Sequence, residues 1–509
     1  DLVVLPARKG VSRLPEHETI DRSRYRDLLL RRLTVRLLDV PGGFGRFADA
    51  VGSTGALIGD IRRVRIEDEH VVRDVDVHVR DRDHINALVA RVSSLENVEV
   101  LRVLDHVLEM HLGGKLEVVS RVPLETVSDL LTVYTPGVAQ VCQTIADDAT
   151  KAYTYTHIWN TVAIVTNGTA VLGLGDIGPV AGMPVMEGKG VILRRMVDIS
   201  PVPILIDSRD PDVIVEVVSH IAPTFGAVQL EDIAAPECFQ IEAELSRRLD
   251  RVVFHDDQHG TAIVVTAALM TALDRLERDL SDLKVVVNGA GAAGIAITRM
   301  LQGAGARNVI LCDRAGALYE GRSEHMNAAK EEIAATTNPA NEAGSLSDVL
   351  RGAHVFVGVS APDLVTPEMV AGMAPQPVVY ALANPVPEID KRLALAAGAA
   401  FATDGRTLNN ALAFPGVFRG CLDARAKAIT PEMKLAASRA IARQTPSSDL
   451  VPNFMDREMH RHVAAAVQQA AIEAGAARTR VPDPGTFERH HTPNEMLAGG
   501  RANGDVIEQ

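Results

Sequence analysis

The stretch Leu283-Lys-Val-Val-Val-Asn-Gly-Ala-Gly-Ala-Ala-Gly-Ile-Ala leaves this chain few ways to fold. A β-branched run stops at Gly289, Gly291 and Gly294, and an apolar helix begins at once. Glycines so spaced permit a tight turn, a close approach of backbone to a pyrophosphate, and close packing of helix on strand. The next apolar run, Val309-Ile-Leu-Cys, ends at Asp313, nineteen residues past Gly294. That is near the spacing of a carboxylate that binds the adenine ribose hydroxyls. Alone, G-x-G-x-x-G is a weak signal; with strand, helix and acid around it, it predicts a doubly wound α/β domain that binds a dinucleotide. Asp313 would repel a 2′-phosphate, which favours NAD over NADP, although Arg314 stands beside it.

Charge placement supplies the second constraint. Ala227-Val-Gln-Leu reads as a buried strand ending in Glu231-Asp232, and Arg251 to Phe254 as another ending in Asp256-Asp257, ahead of an apolar helix from Thr261 to Leu276. A lone Asp-Asp pair at such a junction is ordinarily a helix cap and a solvated charge. Two strands that deliver four acids from one end of a sheet are different: the carboxylates repel and titrate upward unless a cation neutralises them. Oxygen donors without cysteine point to Mg²⁺ or Mn²⁺. Lys189, in Glu187-Gly-Lys-Gly-Val-Ile-Leu, reads as the start of an apolar helix, where the dipole and burial favour a neutral amine; a snorkelling lysine is the plainer alternative. Tyr134, just before Pro136-Gly137, is by itself a packing tyrosine. Asn384-Pro385 and Asn409-Asn410 fall on strand ends or loops facing the nicotinamide, where turn asparagines are also common. Val162 to Thr166 and the apolar residues after Asn167-Gly168 read as a hairpin.

The chain has 509 residues, enough for several domains. A flexible arm is expected over 1–28 and a disordered tail over 486–509. Residues 29–108 read as β-α-β-β-α-β, the ferredoxin-like order. With Asp39-Val-Pro-Gly-Gly-Phe-Gly at its first strand-helix turn this part resembles an ACT domain, which implies either an effector-binding or a dimerisation role. Residues 115–265 form an α/β substrate and metal domain, 266–425 the dinucleotide domain, and 426–485 closing helices. A net charge of −14 without a basic block argues against nucleic acid as partner. The four cysteines show no C-x-x-C spacing, so neither a zinc site nor a disulfide framework is indicated. The longest apolar run is too short for a bilayer. The expected location is the cytoplasm.

Tyr134-Thr-Pro-Gly-Val-Ala, Leu172-Gly-Leu-Gly-Asp, Gly188-Lys189, Leu230-Glu231-Asp232, Phe254-His-Asp-Asp-Gln-His-Gly-Thr, Gly289-Ala-Gly-Ala-Ala-Gly and Asn410-Ala-Leu-Ala-Phe-Pro-Gly together resemble malic enzyme, in that family's order. The resemblance covers roughly 115–480 and points to the short bacterial type. It implies NAD-linked oxidative decarboxylation of malate to pyruvate and CO₂ with Mg²⁺ or Mn²⁺. Glu231, Asp232 and Asp257 would be metal ligands with Asp256 supporting them, Lys189 the general base and Tyr134 the general acid. Asn384 and Asn410 would hold the substrate and nicotinamide end, and a homodimer or higher oligomer is implied. Longer members carry an arginine just before the Leu-Gly-Leu-Gly-Asp run, where this chain has Ala170-Val171. Two alternatives stand beside this reading. A malolactic enzyme would retain the NADH and release lactate; a metabolite-sensing regulatory protein would have lost Lys189 or a carboxylate, and none is missing.

Overall fold

A computed structural model of the protein describes residues 28–478 apart from Leu172. The expected arm, except Leu28, and the expected tail lie outside the described residues. The chain divides into two compact units that meet in sequence at Lys115 and Leu116.

The first unit runs β1 (Leu29–Leu38), α1 (Gly43–Ser53), β2 (Leu57–Glu67), β3 (His70–Val79), α2 (Arg82–Ser93), β4 (Val98–Asp105) and a short α3 (His106–His111). Its antiparallel sheet has the order β2-β3-β1-β4, as the ferredoxin-like pattern requires. Alternation along the strands decides the faces. Leu33, Val35 and Leu37 pack with Val75, Val77 and Val79 on α1 and α2 through Phe47 and Leu88. The opposite face pairs charge: Arg32 lies 2.7 Å from Asp76, and the Thr34 hydroxyl donates to Asp74.

The second unit begins with α4 (Val127–Val133), α5 (Val138–Asp147) and α6 (Ala152–Tyr155). There follow β5 (Thr161–Thr166), α7 (Pro179–Val197), β6 (Ser200–Leu205), α8 (Pro211–Ile221), β7 (Ala227–Leu230), α9 (Glu237–Arg248), β8 (Val252–His255) and α10 (Asp256–Leu276). The four strands form a parallel sheet, β6-β5-β7-β8. This corrects the expected hairpin at Asn167-Gly168. Both edges of β5 are taken by parallel neighbours, so the residues after it leave the sheet as a loop, in which Val171 and Gly175 form an isolated bridge. A second correction concerns Lys189, which sits well inside α7. The helix continues through Gly188 and Gly190 because Met186, Leu193 and Met196 bury its inner face, and packing outweighs the local breakers.

A second sheet is built from β9 (Lys284–Asn288), β10 (Asn308–Asp313), β11 (Gly316–Ala317), β12 (Val355–Gly358), β13 (Val378–Ala381) and β14 (Phe401–Asp404). Helices α11 (Ala292–Gly303), α12 (Ala328–Ala334), α13 (Leu346–Leu350), α14 (Pro367–Ala371) and α15 (Lys391–Ala396) lie between these strands in sequence. The order β11-β10-β9-β12-β13-β14 is parallel except for β11, a doubly wound sheet whose direction switches between β9 and β12. Helices α16 (Phe414–Asp423), α17 (Pro431–Arg443) and α18 (Arg457–Glu473) close the unit. One core runs from Ile164 and Phe254 through Ile263 and Leu269 of α10 to Val285 and Val357. The expected division between 265 and 266 therefore falls within α10, a continuous helix shared by both sheets. Among the described residues no helix is long and apolar enough to cross a membrane.

Helix α11 approaches the end of β9 so closely that a Cβ at Gly294 would overlap the carbonyl oxygen of Gly289. Gly294→Ala is expected to cost about 1–3 kcal/mol through forced backbone movement and to lower the calorimetric melting temperature by several degrees. An unchanged melt would show that this turn is not packed as described.

Candidate active site

Because β7 and β8 are parallel neighbours, their carboxyl ends emerge side by side. Glu231 and Asp232 follow β7, and Asp256 and Asp257 form the first turn of α10. The N-cap of α10 is His255, which makes no side-chain cap bond, so neither aspartate acts as the cap. Asp257 instead accepts from the Asp232 backbone N–H at 2.9 Å, tying the two strand ends together. Asp232 holds φ +54, a left-handed conformation that costs a non-glycine residue energy and is seen most often at functional sites. Glu231, Asp232 and Asp256 are buried, and Asp257 is partly exposed. Gly260 is required here, since a Cβ would meet the Asp256 carboxylate and Asn410.

Lys189 reaches this cluster from α7. Its Nζ lies 2.5 Å from Asp256 Oδ2 and 3.0 Å from Glu231 Oε1, over the ring of Phe414 at 4.7 Å. Burial works to lower the Lys189 pKa, but Asp256, Glu231 and Asp257 outweigh burial and raise it, which favours the ammonium form beside these carboxylates. Burial also pushes the four acids upward, Asp256 to about 7. One ammonium cannot balance four carboxylates in such a place.

A divalent cation fits the residues present. One oxygen each from Glu231, Asp232 and Asp257 lies within 4.8 Å of the others. Asp232 Oδ2 and Asp256 Oδ1 are buried without a hydrogen-bond partner, and such orphaned acceptors are costly unless something occupies them. An all-carboxylate set suits a hard ion such as Mg²⁺ or Mn²⁺.

The other sequence-predicted residues are distributed as follows. Gly289 lies at the switch point and lines a cavity of about 410 Å³ with Ala290, Asp313, His325, Lys330 and Ser360. Gly291 is the N-cap of α11. Asn410 abuts Gly260 at the start of α10, and Asn384 is at the end of β13, against Gly173 of the glycine-rich loop. Tyr134, at the C-terminus of α4, is 66% exposed, and among the described residues no hydrogen bond or ion pair joins it to the cluster. Sequence reasoning missed that Asp313 accepts from Arg322 and Lys330, each at 2.7 Å. Those cations come from a loop and a short helix with no periodic signal, so nothing in the pattern points to them.

Comparison with known proteins places the chain in a family. The family model for the malic enzyme N-terminal domain matches residues 113–246, and that for the malic enzyme NAD binding domain matches 258–408 and 402–472. The chain belongs to the malic enzyme family. It is 46% identical over 445 residues to the NAD-dependent malic enzyme of Geobacillus stearothermophilus, covering 86% of this chain and 93% of that protein. It is 49% identical over 381 residues to the bifunctional malic/malolactic enzyme of Bacillus subtilis, covering 73% of this chain and 93% of that one. The crystal structure of the NAD-dependent malic enzyme from Thermotoga maritima is similar, with a TM-score of 0.69, 44% identity, and coverage of 71% of this chain and 98% of that chain. Within the malic enzyme matches, the N-terminal domain supplies Lys189, Glu231 and Asp232, while Asp257 falls in the gap between the two models.

The raised carboxylates set a pH dependence. A carboxylate whose folded pKa is raised holds a proton that the unfolded chain has lost, so its contribution to stability falls as pH rises. Metal-free protein is expected to lose stability from the ordinary carboxylate range, about pH 4, up to about pH 8, the Asp232 value, and Mn²⁺ held by Glu231, Asp232 and Asp257 should flatten that slope. Melting temperature against pH, with and without Mn²⁺, measures it; a flat metal-free profile would contradict the assignment.

Proposed function

We propose that this protein catalyses the oxidative decarboxylation of L-malate to pyruvate and CO₂ with reduction of NAD, dependent on Mg²⁺ or Mn²⁺. The observation that carries this is Lys189 Nζ held between Glu231 and Asp256 beside the Glu231-Asp232-Asp257 triad, on the edge of a doubly wound dinucleotide fold. Glu231, Asp232 and Asp257 would hold the ion, and Gly289, Gly291, Gly294 and Asp313 the dinucleotide. When bound, the ion supplies Lewis-acid polarisation of the malate C2 oxygen and C1 carboxylate, and the nicotinamide supplies the hydride acceptor.

The residues of the chain then divide the proton work. Burial works toward the neutral amine at Lys189 and Asp256, Glu231 and Asp257 work against it; the positive charge of a divalent ion held by the triad would offset those carboxylates and favour the neutral form. Neutral Lys189 accepts the C2 hydroxyl proton as the C2 hydrogen departs as hydride. Asp256, which accepts from Lys189, keeps the amine aimed at the substrate. Carbon dioxide leaves from C4 of oxaloacetate, and Tyr134 protonates C3 of the resulting enolate, its own proton restored from Lys189. Asn384 and Asn410 orient the substrate and the nicotinamide.

Tyr134 needs a drier setting than the isolated chain gives it. Helices α4 and α5 contain no buried residue, and Val118, Leu124, Val127, Leu130, Leu131 and Val133 are all exposed. An apolar stretch of this extent marks an interface. A second copy of this chain covering it, as a homo-oligomer, is part of the proposal. So is a cytoplasmic location, which suits four unpaired cysteines, and so is the reading of residues 29–108 as an ACT-like regulatory module.

Incubated with L-malate, NAD⁺ and Mn²⁺, the protein is expected to form NADH and pyruvate in equal amounts, and Lys189→Ala to lower turnover by roughly 10²–10⁴-fold while NAD⁺ binding persists. Lactate without net NADH would favour the malolactic reaction, the second activity in the name of the Bacillus subtilis relative. Near-normal turnover in Lys189→Ala would remove the base.

A further inference from the structure

The acidic pair Asp256-Asp257 is flanked on both sides by residues that converge on one carboxylate. Glu242, on α9, accepts from the His255 backbone N–H at 3.0 Å and from His259 Nε2 at 2.8 Å through Oε1, and from the Gln258 side-chain amide at 2.9 Å through Oε2. His259 in turn receives Lys434 Nζ of α17 at 3.1 Å on Nδ1. A lysine ammonium can only donate and a carboxylate can only accept, so the imidazole between them is neutral, with its hydrogen on Nε2. The result is a directional chain, Lys434 to His259 to Glu242. It is mostly buried: the Glu242 and His259 side chains are only 14% and 17% exposed. None of these groups touches the triad or Lys189 through any hydrogen bond described above.

We infer that Glu242 is the positioning residue of the metal site: its carboxylate, anchored through His259 by Lys434, fixes the first turn of α10 so that Asp257 faces Glu231 and Asp232 and Asp256 faces Lys189. This rests on the metal-site reading above. The need for it is visible in the helix itself. The N-cap of α10 has no side-chain cap, and its first turn carries two like charges that push apart. Three bonds from Glu242 to positions 255, 258 and 259 bracket those charges and remove the freedom of the turn to rotate or fray. Partners one layer behind metal ligands orient them, and their loss costs metal affinity without removing any ligand.

Mn²⁺ binding to metal-free, full-length protein, followed by the electron paramagnetic resonance of free Mn²⁺, tests this. Glu242→Gln keeps the shape of the side chain but turns an amide NH₂ toward groups that also donate. Its dissociation constant for Mn²⁺ is expected to rise by about 10- to 100-fold, while NAD⁺ binding by calorimetry is unchanged. Saturating Mn²⁺ should return turnover toward the parent value, a split between Mn²⁺ requirement and kcat that a general packing defect does not give. Where Glu242→Gln fails to fold, Lys434→Met breaks the chain at its far end and should weaken Mn²⁺ binding in the same direction. Unchanged Mn²⁺ affinity in the folded variant overturns the assignment. A parent protein that binds no Mn²⁺ overturns the metal-site reading instead.

Discussion

Four carboxylates and one ammonium share a mostly buried space at the carboxyl ends of β7 and β8, and that imbalance of charge governs much else in the second unit. Buried like charges are tolerated only when a cation or a proton joins them. Lys189 supplies part of the compensation, and protonation of acids pushed upward by burial supplies the rest in the metal-free protein. The same imbalance makes the site receptive to a divalent ion.

Such a cluster needs a rigid frame. The parallel pairing of β7 and β8 fixes two acid pairs side by side, and the bond from the Asp232 N–H to Asp257 locks one pair to the other. Helix α10 carries the restraint onward, since it begins at the acids and passes through the core that also holds β9 and β12. The dinucleotide-type sheet and the acidic cluster are thus referred to a single helix. The Lys434–His259–Glu242 chain braces the end of that helix where the charge is concentrated.

Much of this was legible in the sequence because it depends on local pattern. A strand, three spaced glycines, an apolar helix and Asp313 define the doubly wound sheet, and acids at two strand ends define the cluster. The β-α-β-β-α-β order of the first unit followed from alternation in residues such as Val75, Val77 and Val79. What escaped reading depends on contacts distant in sequence. The apolar run that follows Lys189 makes it look like a helix start, whereas burial of Met186 and Leu193 carries one helix through Gly188 and Gly190. The carboxylates that raise the Lys189 pKa come from other elements, so their weight against burial is equally invisible in the local pattern. The hairpin after β5 was a sound local signal overruled by two parallel neighbours. Arg322 and Lys330 on Asp313, and Glu242 behind the acids, lie in segments whose sequences give no hint of the partner.

The central claim is that the Glu231-Asp232-Asp257 triad binds a divalent ion beside Lys189. Anomalous X-ray scattering from crystals soaked in Mn²⁺ addresses it most directly. The account predicts a single strong peak bounded by oxygens of those three residues at about 2.0–2.2 Å, with Lys189 not among the ligands. A peak elsewhere, or none at saturating Mn²⁺, would contradict it.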